Sequence, residues 1–279
     1  MKSLLKKIYP KRNPWTHKGK HGYVLIVAGS KRYSGSPVFN ALSALRAGAD
    51  LITIVGPKRA MDIAATFSPD LICYPLDTDY LEEKNLPEIL EISKIFNSLV
   101  IGGGLGREKK TFQAILKIIQ KINLPMVIDA DAIHALSQKK EILKNKKAVI
   151  TPHIKEFEVL TGEKVLPNVS DRKEKVKKWA KKLKTVILLK GHIDVISDGN
   201  KIFLNKTGSP FMSKGGFGDT LAGICGAILA RGFSPFESAC AASYINGKAG
   251  ELASEKYNEG VLASDIFEEI PKVIKNFLD

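Results

Sequence analysis

The hexapeptide Lys214-Gly215-Gly216-Phe217-Gly218-Asp219 is followed at once by an apolar run from Thr220 to Ala230. Its glycines let the backbone approach a ligand and take positive φ. The run behind reads as a buried helix, so free amide N–H groups and the positive end of the helix dipole converge on one point. Such a point holds an anion. Asp219 stands at the mouth of that helix, where the dipole is expected to keep its carboxylate ionised and able to take a proton from a substrate hydroxyl. An anion hole beside a base is what phosphoryl transfer to an alcohol requires. A Gly-rich turn capped by an aspartate would show the same letters, so the surrounding chain has to decide between the two.

The elements that must position this loop follow a βαβ rhythm. Tyr23-Val24-Leu25-Ile26-Val27-Ala28-Gly29 reads as a buried parallel strand, Pro37 opens a helix whose Ala41, Ala44 and Ala47 suit close packing, and Leu51–Val55 is the next strand. Later strands are expected at Leu71–Tyr74, Leu99–Gly102, Met126–Asp129, Ala148–Thr151 and Val186–Lys190, with helices near 87–96, 108–121, 154–161, 171–183, 219–231, 235–254 and 265–277. Asp194–Ser197 and Lys201–Leu204, joined by Asp198-Gly199-Asn200, predict an antiparallel hairpin at the sheet edge. No Pro/Gly/Ser-rich linker and no repeat divides the chain. The expectation is a basic N-terminal arm over 1–20 and a single α/β domain over 21–279, a mostly parallel, doubly wound sheet flanked by helices.

In such a sheet ligands sit beyond the carboxyl ends of the strands. The segments there are Gly102-Gly103-Gly104-Leu105-Gly106, Asp129-Ala130-Asp131, Thr151-Pro152-His153-Ile154-Lys155-Glu156 and Lys190-Gly191-His192. Arg107 stands where a GxGxxG fingerprint needs its last glycine, and no GxxxxGK[ST] occurs, which disfavours a dinucleotide dehydrogenase and a P-loop enzyme.

Composition narrows the classes further. With 44% hydrophobic residues the 279-residue chain can bury a large core, yet no run reaches the roughly 18 apolar residues of a membrane span. Met1–Lys7 lacks the apolar stretch of a signal peptide, so the expected location is the cytoplasm. Cys73, Cys225 and Cys240 have no CxxC spacing and lie in apolar stretches, which predicts buried free thiols; His17 and His21 have no nearby Cys or carboxylate, and no metal site is assigned to protein ligands. The net charge of +14 is concentrated in residues 1–20 and 172–184. In the latter, Val176, Trp179, Ala180 and Leu183 recur at helical spacing, so the lysines form a solvated face. These basic faces lack interleaved exposed aromatics, which disfavours nucleic acid as a partner.

Taken in order, several stretches resemble the motif series of the ribokinase-like NAD(P)H-hydrate dehydratases. They are His17-Lys18-Gly19 with Gly22, Gly29-Ser30, Ala44-Leu45-Arg46-Ala47-Gly48-Ala49, Gly102–Gly106, Asp129-Ala130-Asp131-Ala132, Thr151-Pro152-His153 with Glu156-Phe157, Lys190-Gly191 and Gly215-Gly216-Phe217-Gly218-Asp219, the last close to that family's GG(S/T)GD. The match runs from residue 17 to about 232. It implies a three-layer ribokinase-like fold and a lyase that uses ADP or ATP, with Mg²⁺, to restore hydrated NAD(P)H. The family often carries an epimerase domain in front, and the form implied here is the stand-alone one, assembled as a homo-oligomer.

The resemblance also implies roles. Asp219 would be the catalytic base, and Ser36, Gly104, His153 and Asp219 would contact the hydrated dinucleotide, Ser36 standing where the family has alanine. Lys190, Gly191, His192, Ile193 and Asp194, with Gly216 and Gly218, would hold the adenosine nucleotide. Asp129 and Glu156 would take at most a supporting or Mg²⁺-water role. Phe217 replaces the small hydroxyl residue of the family loop, which predicts a ring beside the phosphate path. Asp194 stands where the family tends to have threonine, an acid near phosphates, and His153-Ile154-Lys155-Glu156 replaces a His-Pro-Gly-Glu form. Two rival readings remain: a small-alcohol kinase of the same fold, acting on a vitamin precursor, and a non-catalytic basic protein that binds nucleic acid.

Overall fold

The structure, a computed structural model, describes residues 1–277. In chain order the elements are α1 (Lys2–Ile8), β1 (Tyr23–Val27), α2 (Gly35–Arg46), β2 (Leu51–Pro57), α3 (Lys58–Ala64), β3 (Ile72–Leu76), α4 (Leu86–Ser93), β4 (Ser98–Ile101), α5 (Lys109–Lys121), β5 (Met126–Ile128), α6 (Asp131–Leu136), β6 (Ala148–Ile150), α7 (Ile154–Thr161), α8 (Val169–Leu183), β7 (Val186–Leu189), β8 (Asp194–Ser197), β9 (Ile202–Asn205), α9 (Phe217–Ala230), α10 (Pro235–Tyr257) and α11 (Glu269–Lys275).

The strands form one sheet in the order β3-β2-β1-β4-β5-β6-β7-β8-β9. Pairing is parallel as far as β7, and β8 and β9 close the edge as the expected antiparallel hairpin. From β1 the chain winds outward to β3, then returns to lay β4 on the other flank of β1. Strand order therefore reverses between β1 and β4, the position at which open α/β sheets place ligands. The loops that follow the two strands are tied together there, for the Gly29 amide donates to Gly103 O at 2.8 Å.

Helices cover both faces, which is why the inner strands read as continuous apolar runs. Alternate side chains go to opposite layers: Val24, Ile26 and Val100 pack with α2, α9 and α10, and Leu25, Val27, Leu99 and Ile101 with α4, α5 and α6. A third cluster sets Phe157, Val176 and Trp179 against Ile187, Leu189 and Val195. Helix α9 is buried along its whole apolar run, from Thr220 to Ala230. Gly223 lets it touch α2, since a Cβ there would stand 2.1 Å from Asn40 O.

Several expectations change. Seven residues of the segment read as a basic arm form helix α1, whose Leu5 and Ile8 are buried in the main core along with Tyr9; its lysines face outward, and in sequence they mask a two-residue apolar stripe. Helices α3 and α6, seven and six residues long, were not expected, being too short to show a period. The first strand-following helix starts at Gly35, two residues before Pro37, and β3 runs to Leu76. The last predicted helix divides into a 3-10 turn, Ala263–Phe267, and α11. Cys225 and Cys240 are buried free thiols as expected, whereas Cys73, on the edge strand β3, is half-buried.

Candidate active site

Helix α9 begins at Phe217, immediately after Gly216 at φ 99°, and its first bond runs from Thr220 N–H to Gly216 O at 2.9 Å. The amides of Phe217, Gly218 and Asp219 therefore have no acceptor within the helix and are free for an anion. They open onto a cavity of about 810 Å³ bordered by Ser36, Asp129, His153, Lys190, Asp194 and Asp219 among others. The anion hole, the carboxylate and the lysine predicted from sequence thus share one space.

Asp219 is the third residue of α9. Its Oδ2 accepts from Ser36 Oγ at 3.2 Å, and its backbone carbonyl accepts from Asn40 Nδ2 at 2.7 Å. The expectation of an ionised carboxylate needs correction. Burial, and then the charge of Asp129, push the Asp219 carboxyl up to about 7, with the Ser36 hydrogen bond and Lys190 pulling the other way. Desolvation outweighs the helix dipole because a carboxylate loses most of its hydration in the cavity floor.

Lys190 follows β7 and crosses the cavity floor. Its Nζ lies 2.9 Å from Asp129 Oδ1 and 3.9 Å from Glu156 Oε2, and a Cβ on Gly218 would stand 3.2 Å from it, so the Gly-rich turn passes directly over the ammonium. Burial works against its charge, but Asp129, Glu156 and Asp219 outweigh it and hold the ammonium above its ordinary value. Glu156 is raised in turn by burial, with Lys190 opposing. Thr151 Oγ1 donates to Asp129 at 2.7 Å.

His153 caps α7 reciprocally: its amide donates to Glu156 Oε2 at 2.9 Å, and its Nδ1 accepts from the Glu156 amide at 3.2 Å. Its Nε2 lies 3.4 Å from Glu156 Oε1, and the residue borders the cavity. Gly104, at φ 63°, borders an adjoining cavity of about 600 Å³ lined also by Arg32, Tyr33, Tyr80, Arg107 and Asp131; Ser36 belongs to both spaces.

The 190–194 segment is only partly as expected. Gly191 and His192 line the cavity, but Ile193 does not border it. Asp194 is an acceptor within the loop: it takes Ser243 Oγ at 2.6 Å and the Gly191 amide at 2.9 Å, so that amide is spent on the loop itself. Burial raises the Asp194 pKa against these bonds. Phe217 is 5% exposed and packs into the core, while the residue still borders the cavity. Gly215 and Gly216 border the cavity, and Lys214 is tethered to the carbonyls of Glu259 and Val261.

Three positioning residues were missed. Asn40 holds Asp219, Asn246 takes the Thr220 hydroxyl at 2.8 Å, and Arg172 contacts the carbonyls behind the 190–194 loop. Asn40 and Asn246 each interrupt an otherwise small or apolar helix face, a signal that was present in the sequence. Arg172 was hidden among lysines.

The mostly parallel sheet with an antiparallel hairpin edge, flanked by helices, is a ribokinase-like fold. A family model described as NAD(P)H-hydrate dehydratase matches residues 24–272, and the chain belongs to that family. It is 37% identical over 274 residues to an ADP-dependent (S)-NAD(P)H-hydrate dehydratase of Cenarchaeum symbiosum, covering 98% of this chain and 95% of that one. With a bifunctional NAD(P)H-hydrate repair enzyme of Pyrobaculum aerophilum it shares 41% identity over 262 residues, 93% of this chain and 52% of that protein, so the chain spans about half the length of such relatives. Among solved structures, an ADP/ATP-dependent NAD(P)H-hydrate dehydratase of Bacillus subtilis, co-crystallised with ATP and Mg²⁺, superposes with a TM-score of 0.84 at 26% identity, covering 99% and 97% of the two chains.

Proposed function

We propose that this chain dehydrates hydrated NAD(P)H, using ADP or ATP to phosphorylate the ring hydroxyl and eliminating phosphate. The observation that carries the reading is the meeting, in one cavity, of the Asp219 carboxylate, the free amides that open α9 and the Lys190 ammonium. Hydroxide leaves the hydrated ring poorly, whereas a phosphate ester at the same carbon leaves well, pushed by the lone pair of the ring nitrogen.

In this mechanism Asp219 takes the proton of the ring hydroxyl as its oxygen bonds to the terminal phosphorus of the nucleotide, whose bridging oxygen leaves with AMP from ADP or with ADP from ATP; the phosphate ester then departs and the neighbouring ring carbon gives up a proton to restore the double bond. The amides of Phe217, Gly218 and Asp219 bear the charge on the phosphoryl group in transfer, and Lys190 adds a cation beneath them. Asp129 and Glu156 keep Lys190 protonated and in place. Ser36 orients Asp219, and His153 holds the dinucleotide from the opposite wall. Space for two nucleotides is available. The larger cavity takes the adenosine nucleotide and the hydrated ring, and the Gly104 cavity, reached past Ser36, takes the rest of the dinucleotide. Among the described residues no cluster of three His, Cys, Asp or Glu is set to hold a metal. Mg²⁺ commonly needs only one or two carboxylates besides phosphate oxygens, and Asp129, which borders the cavity and meets Lys190 and Thr151 through Oδ1, would be the residue to hold it through its other oxygen. When bound it supplies charge neutralisation on the phosphates.

The test is incubation of hydrated NADH with ADP or ATP. Return of the reduced-nicotinamide absorbance, without a stable phosphorylated substrate, supports the reading. Accumulation of a phosphorylated alcohol would assign a kinase instead.

A further inference from the structure

Helix α8 carries seven Lys and Arg, and Arg172 is the one drawn inward, 7% exposed. Its position is costly on three counts. It lies near the N-terminus of α8, where the helix dipole opposes a cation. Among the described residues its guanidinium makes no salt bridge to a carboxylate, and its Nε is buried without a hydrogen-bond partner. Burial works against its charge, with the nearby Asp194 carboxylate opposing. If packing against Val176 and Trp179 were all that this position required, a leucine or methionine would meet the need without these penalties.

What the guanidinium does contact is one loop. Its Nη2 lies 3.1 Å from Leu189 O, 3.1 Å from Lys190 O and 3.2 Å from Ile193 O. Gly191 is pressed flat against it, since a Cβ there would stand 2.6 Å from Nη2. From the other side Asp194 takes the Gly191 amide and is itself fixed by Ser243. Carbonyls gathered on Arg172 and an amide gathered on Asp194 leave the backbone between Lys190 and Asp194 one conformation.

We infer that Arg172 is a positioning residue that, with Asp194, pre-forms the 190–194 loop for the phosphates of the adenosine nucleotide. The assignment rests on the proposed function for the identity of the ligand, although not for the geometry. A loop ordered beforehand loses less freedom when the nucleotide arrives, so the role belongs to nucleotide affinity and not to the chemical step.

The experiment measures ADP binding by calorimetry and, separately, KM for ADP, KM for hydrated NADH and kcat, on full-length Arg172→Ala, Arg172→Gln and Arg172→Lys. The alanine variant is expected to weaken ADP binding and raise KM for ADP about 10–100-fold, with kcat and KM for hydrated NADH within about threefold. Lysine keeps the charge but not the planar fork, so its loss is expected to be smaller. An unchanged Kd and KM for ADP in all three variants, even with a lower melting temperature, would assign Arg172 to packing and overturn the inference. If the alanine protein does not fold, the lysine and glutamine proteins decide. Should the wild-type chain bind ADP yet fail to restore NADH, the functional reading falls while calorimetry still decides the loop. If it binds neither ADP nor ATP, both fall.

Discussion

The surroundings of Asp219 resist its ionisation, and this governs how it should behave as the proposed base. With its carboxyl pushed up to about 7 by burial and Asp129, kcat/KM is expected to rise with pH through an apparent pKa near 7 in the free protein. A pH profile flat from 5 to 8 would show that another group is the base. The same shift is linked to stability. The native carboxyl keeps a proton that the unfolded chain releases above about pH 3.9. Its contribution is therefore fully present below that pH and is lost as pH rises through 7. Asp219→Asn should remove that decline from a melting-temperature profile and cut turnover about 10²–10⁴-fold, while ADP binding stays within a few-fold. At this scale the sequence was informative about which residues meet in one cavity. Asp219, Lys190 and His153 were legible because each follows an apolar strand or opens an apolar helix. Their protonation was not, because desolvation depends on what the rest of the chain packs around them.

Helices α2 and α9 act as one unit, each delivering a site residue at its N-terminal end. Asn40 on α2 donates to the Asp219 carbonyl, and Gly223, one turn further along α9, gives the two backbones their close approach. Gly223→Ala places a methyl 2.1 Å from Asn40 O, so it is expected to force the helices apart. A loss of about 1–3 kcal/mol in urea unfolding should follow, as for an overpacked core, together with lower kcat at unchanged ADP affinity. Full retention of both would mean that the contact yields without moving Asp219. A chain reader sees an apolar run with glycines and infers burial; which neighbour each glycine admits is not written locally. Arg172 illustrates the opposite limit. Its sequence neighbours are solvated lysines, and only the course of β7 into the 190–194 loop turns it inward.

Over the whole molecule, the N-terminal segment is structural as well as basic. Leu5 and Ile8 are each 1% exposed and pack in the same core as α9 and α10. Leu5→Ala is expected to destabilise the chain by about 2–5 kcal/mol, read by urea unfolding. An unchanged unfolding midpoint would show that α1 is dispensable to the core. The alternation of apolar runs with amphipathic stretches determined the α/β architecture, and a hairpin signal determined its antiparallel edge, because strand and helix periods are local properties of the chain. Motif order determined the family, since short stretches at the ends of successive strands keep their sequence order whatever the loops between them do. Tertiary structure alone decided that Phe217 packs into the core, that Asp194 spends itself on its own loop, that α1 belongs to the core, and that Asp219 is reluctant to ionise. Each of these depends on contacts between residues far apart in the chain, and desolvation and packing act across space and not along sequence.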